Sequence, residues 1–339
     1  MKINEQIIGK GRAFIIAEAG LNHNGDFNTA LALIRKAREC GADAVKFQTF
    51  HAKKLISSNV PVYKKSSGGP QSQLERFEML EFSSEQWSQL SQASKDECIY
   101  FLSTPFDKDS VDMLDPMVDT YKVSSGDITN YILLRYIAKK GRKVIVSTGA
   151  SDLSEIDKVF DIFAHDKIIL LHCVSLYPTP ADKVNLLSIK FLKDRYKCPV
   201  GYSDHTIGSD ISLAAAIMGA DIIEKHFTLS KDQGGGDHAL SADPDELKGL
   251  INAIRKIETS IGDYNKSIIE EERAVRKLIR RGLVAGTHMS IGHSLLEKDL
   301  VPLRPLKGIP VECADEFIGM KLVKDIHEGE ILNETHFDD

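Results

Sequence analysis

Two histidines in Ser203-Asp204-His205-Thr206 and Glu224-Lys225-His226-Phe227-Thr228 are the residues best suited to hold a metal ion. Imidazole suits manganese, iron, cobalt or zinc, and a pair of imidazoles leaves coordination positions open for substrate or water. Asp204 and Glu224 stand beside them as acceptors expected to orient the rings. A second set, Lys46 and Lys122 with Ser103, Thr104, Ser125 and Ser147, offers point charges and adaptable donors, the chemistry of a phosphate or carboxylate site. Glu18, directly before Ala19-Gly20, can serve as a general base if its surroundings hold it near neutrality. Asp237, in Gly234-Gly-Gly-Asp237-His238, is expected on a rim loop in contact with ligand.

These residues fall at the ends of eight short apolar runs: 14–20, 44–50, 99–106, 120–127, 143–149, 167–174, 199–206 and 222–228. Helix-like segments alternate with the runs, which is the pattern of an α/β fold, a (β/α)8 TIM barrel with its chemistry on the C-terminal face. The expected tips are Glu18, Lys46 with Gln48, Ser103 with Thr104, Lys122 with Ser125, Ser147, His172, Asp204 with His205, and Glu224 with His226. Residues 52–81 read as a long connection on that face and hence a lid. The barrel is expected over residues 1–265 and a charged helical linker over 266–281. Residues 282–339 read as a small domain of short strand-like pieces at 282–285, 300–305, 319–323 and 329–332.

The chain has 339 residues, 42% hydrophobic and 27% charged, ordinary for a globular enzyme. Its net charge of −6 argues against a sequence-independent nucleic-acid binder. No GxxxxGK[ST] or GxGxxG motif adjoins the lysines, so nucleotide binding has no support. The N-terminal residues hold no signal-peptide core, and no run approaches the ~20 apolar residues of a membrane span. The five scattered cysteines form no CxxC pair, so a cytoplasmic protein with reduced thiols is expected. Cys173, beside His172, reads as a small buried apolar residue.

Taken together, the strand-tip motifs resemble the sialic acid synthase family: 17–25 (AEAGLNHNG), 45–49 (VKFQT), 103–106 (STPF), 121–126 (YKVSSG), 147–149 (STG), 171–173 (LHC), 177–180 (YPTP), 201–206 (GYSDHT) and 224–228 (EKHFT). The trailing residues resemble that family's antifreeze-like (SAF) domain. The resemblance implies condensation of phosphoenolpyruvate with an N-acyl hexosamine, and a divalent metal, Mn2+ before Mg2+ or Co2+, on His205 and His226. It implies phosphoenolpyruvate on Lys46, Thr104, Lys122, Ser125, Ser147, Ser175 and Ser203. It places the acylaminosugar against Gln48, Asp127, Tyr177, Asp237 and Arg304, the last reaching from the second subunit of a domain-swapped homodimer. Asp127, Ser175 and Leu306 stand where family members often carry Glu, Asn and Gly.

Three other readings stay open at this stage. A deoxy-sugar-acid phosphate synthase needs a second phosphate site for a phosphorylated sugar. A catalytically silent carbohydrate-binding protein would share the fold without Glu18 and the histidine pair. A Schiff-base aldolase needs one desolvated lysine of lowered pKa.

Overall fold

The computed structural model describes residues 2–3, 6–9, 11–57, 72–234 and 236–338. It divides into two compact units, residues 1–262 and 263–339. The first unit begins with a hairpin of β1 (Lys2–Ile3) and β2 (Gln6–Ile7). Eight parallel strands follow: β3 (Phe14–Gly20), β4 (Ala44–Thr49), β5 (Tyr100–Pro105), β6 (Thr120–Val123), β7 (Lys143–Ser147), β8 (Ile168–His172), β9 (Val200–Asp204) and β10 (Ile222–His226). They form one sheet in which β3 pairs with both β4 and β10, the wrap-around contact that makes a sheet into a barrel. Each expected strand is present, although several are shorter than the apolar runs that announced them. The run at 120–127 ends as strand at Val123 and turns into one 3-10 turn at Ser125–Asp127.

Helices α1 (Phe27–Cys40), α2 (Ala52–Leu55), α3 (Gln73–Glu78), α4 (Ser84–Asp96), α5 (Lys108–Leu114), α6 (Tyr131–Ala138), α7 (Leu153–Ile162), α8 (Leu187–Tyr196), α9 (Asp210–Ile217) and α10 (Pro244–Ser260) connect and cover the strands. Their starts follow from local chemistry. Ser83 with Gln86, Asp152 with Glu155, and Asp243 with Glu246 form reciprocal caps that satisfy the free N–H groups of the first turn. Helices α2 and α3 lie within the connection at 52–81, which is therefore not without structure; residues 58–71, the centre of the expected lid, lie outside the described residues.

Strand pleating sorts side chains into two layers. Alternate residues such as Ile15, Ala17, Val45, Phe47, Phe101, Tyr121, Val144, Val146, Leu170 and Ile223 join the helices in an outer apolar shell. The residues between them point inward. Phe14, Ile16, Ala44, Leu102, Ile145, Ile169, Leu171 and Ile222 fill the lower barrel, and Ile3 and Ile8 beside the N-terminal hairpin bury themselves in the same cluster. Gly201 occupies an inward position where a Cβ would stand 2.5 Å from the Ile222 carbonyl oxygen, so only glycine fits between β9 and β10 there.

The second unit holds α11 (Glu270–Ile279), the antiparallel pair β11 (Gly282–Ala285) and β12 (Leu300–Leu303), and a core of its own around Leu283, Leu295, Leu322, Ile326 and Leu332. The pieces expected as strands at 319–323 and 329–332 make isolated bridges instead, Lys321 with Ser294 and Leu322 with Phe337 in the first and Ile331 with Val284 in the second.

Candidate active site

The inward row that fills the lower barrel with aliphatic carbon changes to polar chemistry one step higher on every strand but β8, where Cys173 follows Leu171. Above Ile16 comes Glu18, above Ala44 come Lys46 and Gln48, and above Leu102 comes Thr104. Lys122, Ser147, Ser203 and Glu224 occupy the same level on β6, β7, β9 and β10. They line a cavity of about 220 Å³ together with Phe106, Ser124, Ser125, Cys173, Tyr177, His205, His226 and Asp237. The sheet register puts Glu18 opposite both Lys46 and His226, so the three are ladder neighbours. A register shift between Glu18 and Gly20 bends β3 at the rim. Gly20 sits there at φ +51°, where a side chain would crowd the Glu18 carboxylate.

At the cavity floor four buried charges form a chain. Lys46 Nζ lies 2.7 Å from Glu18 Oε2 and 3.7 Å from Glu224 Oε2, and Lys122 Nζ lies 3.7 Å from Glu224 Oε1. Gln48 donates to Glu18 (3.2 Å), Ser203 to Glu224 (3.0 Å), and Lys122 to Ser147 (2.7 Å). Burial disfavours every charge here, but the neighbours differ. Burial pushes the Glu18 carboxyl well up towards neutrality; Lys46 works against that, and the like charge of Glu224 reinforces it. Glu224, against the same burial, is pulled below the usual carboxylate range by Lys122 and Lys46 together. Burial lowers Lys122, aided by Lys46, whereas Lys46 is kept protonated against burial by the two glutamates. Glu224 Oε2 accepts no hydrogen bond, which leaves one acceptor open at the floor.

The two imidazoles stand at the tips of β9 and β10, above Ser203 and Glu224 and beside Glu18, ring centres 5.5 Å apart, with Tyr177 4.2 Å from His205 and edge-on to His226. Burial holds both rings below the ordinary histidine value, and His205 lowers His226 further. The Val174 carbonyl lies 2.8 Å from His205 Nδ1, so that nitrogen carries the proton and Nε2 keeps its lone pair. Neutral rings with one free lone-pair nitrogen fit a divalent metal of intermediate softness. Asp237 Oδ2 lies 3.6 Å from His226 Nδ1, and the Asp237 N–H donates to Asn22 Oδ1 at 2.9 Å. Among the described residues no three His, Cys, Asp or Glu side chains converge as a closed metal cage.

Three expected tip residues do not reach the cavity, each because its place in the pleat points it outward. The Ser103 hydroxyl pairs with Thr49 (2.7 Å). His172 meets the Val184 carbonyl (2.7 Å) and packs near Tyr202. Asp204 binds Lys225 at 3.0 Å behind the sheet and orients neither ring. Glu224 also differs from expectation: it links the two lysines instead of orienting an imidazole. Ser175 lies just behind the wall, 2.9 Å from Ser125 Oγ. Asp127 stands outside the lining and accepts from Ser124 (2.9 Å) and Asn130 (3.2 Å). Arg304 is exposed in the second unit. The structure adds Ser124 and Phe106 to the lining, and it puts Cys173, read as core, on the wall. The rule that pointed to Lys122 finds Ser124 two residues on, and the step from Leu171 finds Cys173.

Residues 33–266 match the NeuB family, and residues 280–338 match the SAF domain. The chain belongs to the NeuB family. Its relatives there include an N,N'-diacetyllegionaminic acid synthase of Campylobacter jejuni, 42% identical over 95% of this chain and 99% of that protein. The human N-acetylneuraminate-9-phosphate synthase is 33% identical over 97% of this chain and 94% of its own length. A crystal structure of the N-acetylneuraminic acid synthetase of Leptospira borgpetersenii serovar Hardjo-bovis, in complex with citrate, superposes with a TM-score of 0.73 at 36% identity, covering 81% of this chain and 94% of that one. The NeuB-family chain is thus an enzyme, a synthase of the carbon–carbon bond-forming transferase class, built as a barrel followed by a SAF domain. Among the described residues no helix is long and apolar enough to cross a membrane.

The electrostatics of this NeuB-family site carry a stability consequence. A carboxyl raised in the folded state favours folding below its unfolded value and loses that contribution as pH rises through the folded value. Ionised Glu18 therefore costs stability in neutral and alkaline solution. Glu18→Gln is expected to raise the melting temperature at pH 8 by a few degrees, with the gain shrinking by pH 5. Thermal unfolding at the two pH values checks this; an unchanged or lower value at pH 8 would contradict the raised carboxyl.

Proposed function

We propose that this enzyme condenses phosphoenolpyruvate with an open-chain acylaminosugar and water to give a nonulosonic acid and inorganic phosphate. The observation that carries the reading is that the charge chain and the imidazole pair line one cavity. Two buried lysines with hydroxyls beside them match the phosphate and carboxylate of phosphoenolpyruvate, and an acid held near neutrality faces the space where bonds change.

Lys46 and Lys122, with Thr104, Ser125, Ser147 and Ser203, would hold the two anionic groups, and Ser175 would steady Ser125 from behind. The methylene carbon of phosphoenolpyruvate bonds to the sugar's aldehyde carbon, and positive charge develops at the enol carbon. Ionised Glu18 stabilises that charge, takes a proton from the water that adds there and passes it to the alkoxide left where the aldehyde π bond broke, and the adduct's hydroxyl proton later leaves with the phosphate. The tetrahedral adduct breaks its carbon–oxygen bond and releases phosphate. Glu224, kept ionised between the lysines, holds their spacing and leaves its open oxygen to a substrate hydroxyl or water. His205 and His226 would hold a divalent cation, Mn2+ before Mg2+ or Co2+, which supplies Lewis-acid polarisation of the aldehyde oxygen. Preorganised charge and positioning would supply much of the acceleration.

Gln48, Tyr177 and Asp237, which line the outer cavity, would contact the sugar; Asp127 would act on it through Ser124. The higher identity to a diacetyllegionaminate synthase than to a neuraminate-phosphate synthase supports a 6-deoxy diacetamido hexose over N-acetylmannosamine as acceptor. Among the described residues the lining holds no second cluster of cationic side chains, which disfavours a phosphorylated sugar. We further propose that the protein is a domain-swapped homodimer in which Arg304 of one chain serves the sugar site of the other, and that it works in the cytoplasm.

Phosphate release from phosphoenolpyruvate, measured with each sugar and with chelator present, tests the main reading. Turnover should be at least about tenfold faster with the diacetamido sugar, a difference of ~1.4 kcal/mol, and chelator should abolish it until Mn2+ is restored. Preference for N-acetylmannosamine would overturn the sugar assignment, and full activity in chelator would overturn the metal.

Glu18→Gln should still bind phosphoenolpyruvate but lose turnover by ~10²–10⁴-fold, the usual contribution of a general base. Because base and charge stabiliser both need the ionised form, wild-type rate should fall on the acid side at a pH well above the ordinary carboxylate range. A loss below about tenfold would make Glu18 an ion-pair residue only.

Mixing inactive Glu18→Gln chains with inactive Arg304→Ala chains should restore part of the activity, since one of the two hybrid sites is then intact. No recovery after demonstrated subunit exchange would refute the shared site.

A further inference from the structure

The strands that carry the two imidazoles are joined behind the barrel wall by a buried ion pair that faces away from the cavity. Lys225 and Asp204 are direct ladder neighbours on β10 and β9. Both side chains are fully enclosed, at 1% and 0% exposure, and their charged atoms are 3.0 Å apart. Lys225 also donates to the Thr206 carbonyl at 2.6 Å. Asp204 accepts from the Thr206 N–H (2.8 Å), the Ser212 hydroxyl of α9 (2.5 Å) and the Tyr202 hydroxyl (3.2 Å). Every bond in this network ends within three residues of His205 or His226, or on the helix that follows.

Its placement answers a weakness of the barrel at this point. His226 is the last residue of β10 and keeps a ladder partner in Glu18. His205 lies one residue beyond β9, where no strand neighbour holds the chain. Its carbonyl is taken by the Thr179 N–H and its ring by the Val174 carbonyl. The next residue, Thr206, is held at its N–H by Asp204 and at its carbonyl by Lys225. A buried ion pair contributes little net stability compared with apolar packing of the same volume, so stability alone does not account for this one. What it does uniquely is tie the residue after His205 to the residue before His226.

We propose that Lys225 and Asp204 act as a positioning clamp that sets the separation of the His205 and His226 imidazoles. The inference rests on the reading of those imidazoles as a divalent-metal site. Without the clamp, Thr206 loses its tie to β10, and His205 can drift while the cavity's lysines and glutamates stay in place. The two ring nitrogens then no longer meet a single ion at the right spacing, although anions are still bound.

The test is Mn2+ titration of the purified protein, followed by the electron paramagnetic resonance signal of free Mn2+, with Co2+ absorption as a report on coordination geometry. His226→Ala identifies the site's signal by removing it. Two variants probe the clamp: Lys225→Met, and the double Asp204→Asn/Lys225→Met, which leaves no charge buried alone and so should fold with a melting temperature near that of wild type. Both should bind Mn2+ at least about tenfold more weakly, as supporting-shell changes commonly do, with a shifted Co2+ spectrum and unchanged binding of phosphoenolpyruvate. A folded double variant that matches wild type in Mn2+ affinity and Co2+ spectrum would overturn the clamp. Wild-type protein that binds no Mn2+ would overturn the metal reading itself, and the clamp with it.

Discussion

Two lysines and two glutamates buried in alternating order at the barrel's mouth are the constraint around which the rest is arranged. None of these charges could be enclosed alone, because desolvation would neutralise it. Enclosed together they nearly cancel, yet not symmetrically. Glu224 has a lysine on either side, whereas Glu18 has one lysine and a like charge. One carboxylate is therefore locked in its ionised form and the other is left near the point of proton exchange. The same chain of contacts thus provides a fixed anion cradle and a mobile proton site within a few ångströms.

The barrel is the device that makes such an arrangement possible. Parallel strands converge on one mouth, and their pleat presents every second side chain to the interior. The lower levels spend those positions on aliphatic packing, which gives the charged level a rigid floor. The outward positions at the same height are not idle. Phe47 and Tyr202 join the outer shell, Thr49 and Ser103 pair with each other, and Lys225 with Asp204 ties two strands together. Chemistry faces in and alignment faces out.

Gln48 on β4 apart, the side chains assigned to the sugar have a different footing from those assigned to phosphoenolpyruvate. Lys46, Thr104, Lys122, Ser147 and Ser203 are on strands, held by ladders on both or one side. Tyr177 and Asp237 are on connections, and Asp237 is held by its backbone, whose N–H donates to Asn22 and whose carbonyl accepts from Leu240 and Ser241. A strand-rooted half suits the reactant common to a family, and a loop-rooted half suits the reactant that varies.

From sequence alone, the order and spacing of apolar runs determined the barrel, and the polar residues ending those runs determined which side chains compete for its mouth. Glu18, Lys46, Lys122, Ser147, His205 and His226 were legible because their types and strand positions agreed. The C-terminal residues were legible as a compact unit, but two of their apparent strands are only isolated bridges, since short Gly-bounded pieces carry too little periodicity to separate a strand from an extended turn. Tertiary structure alone settled the parity of each tip. Near a strand end a one-residue difference reverses the direction of a side chain, and seven of the eight ends lay one to four residues short of the apolar runs. That is why Ser103, His172 and Asp204 turned out to face away, while Ser124 and Cys173 faced in. It settled also the unequal fates of Glu18 and Glu224, because a carboxyl's charge state depends on burial and on neighbours brought in by other strands, and neither quantity is written at its own position in the chain.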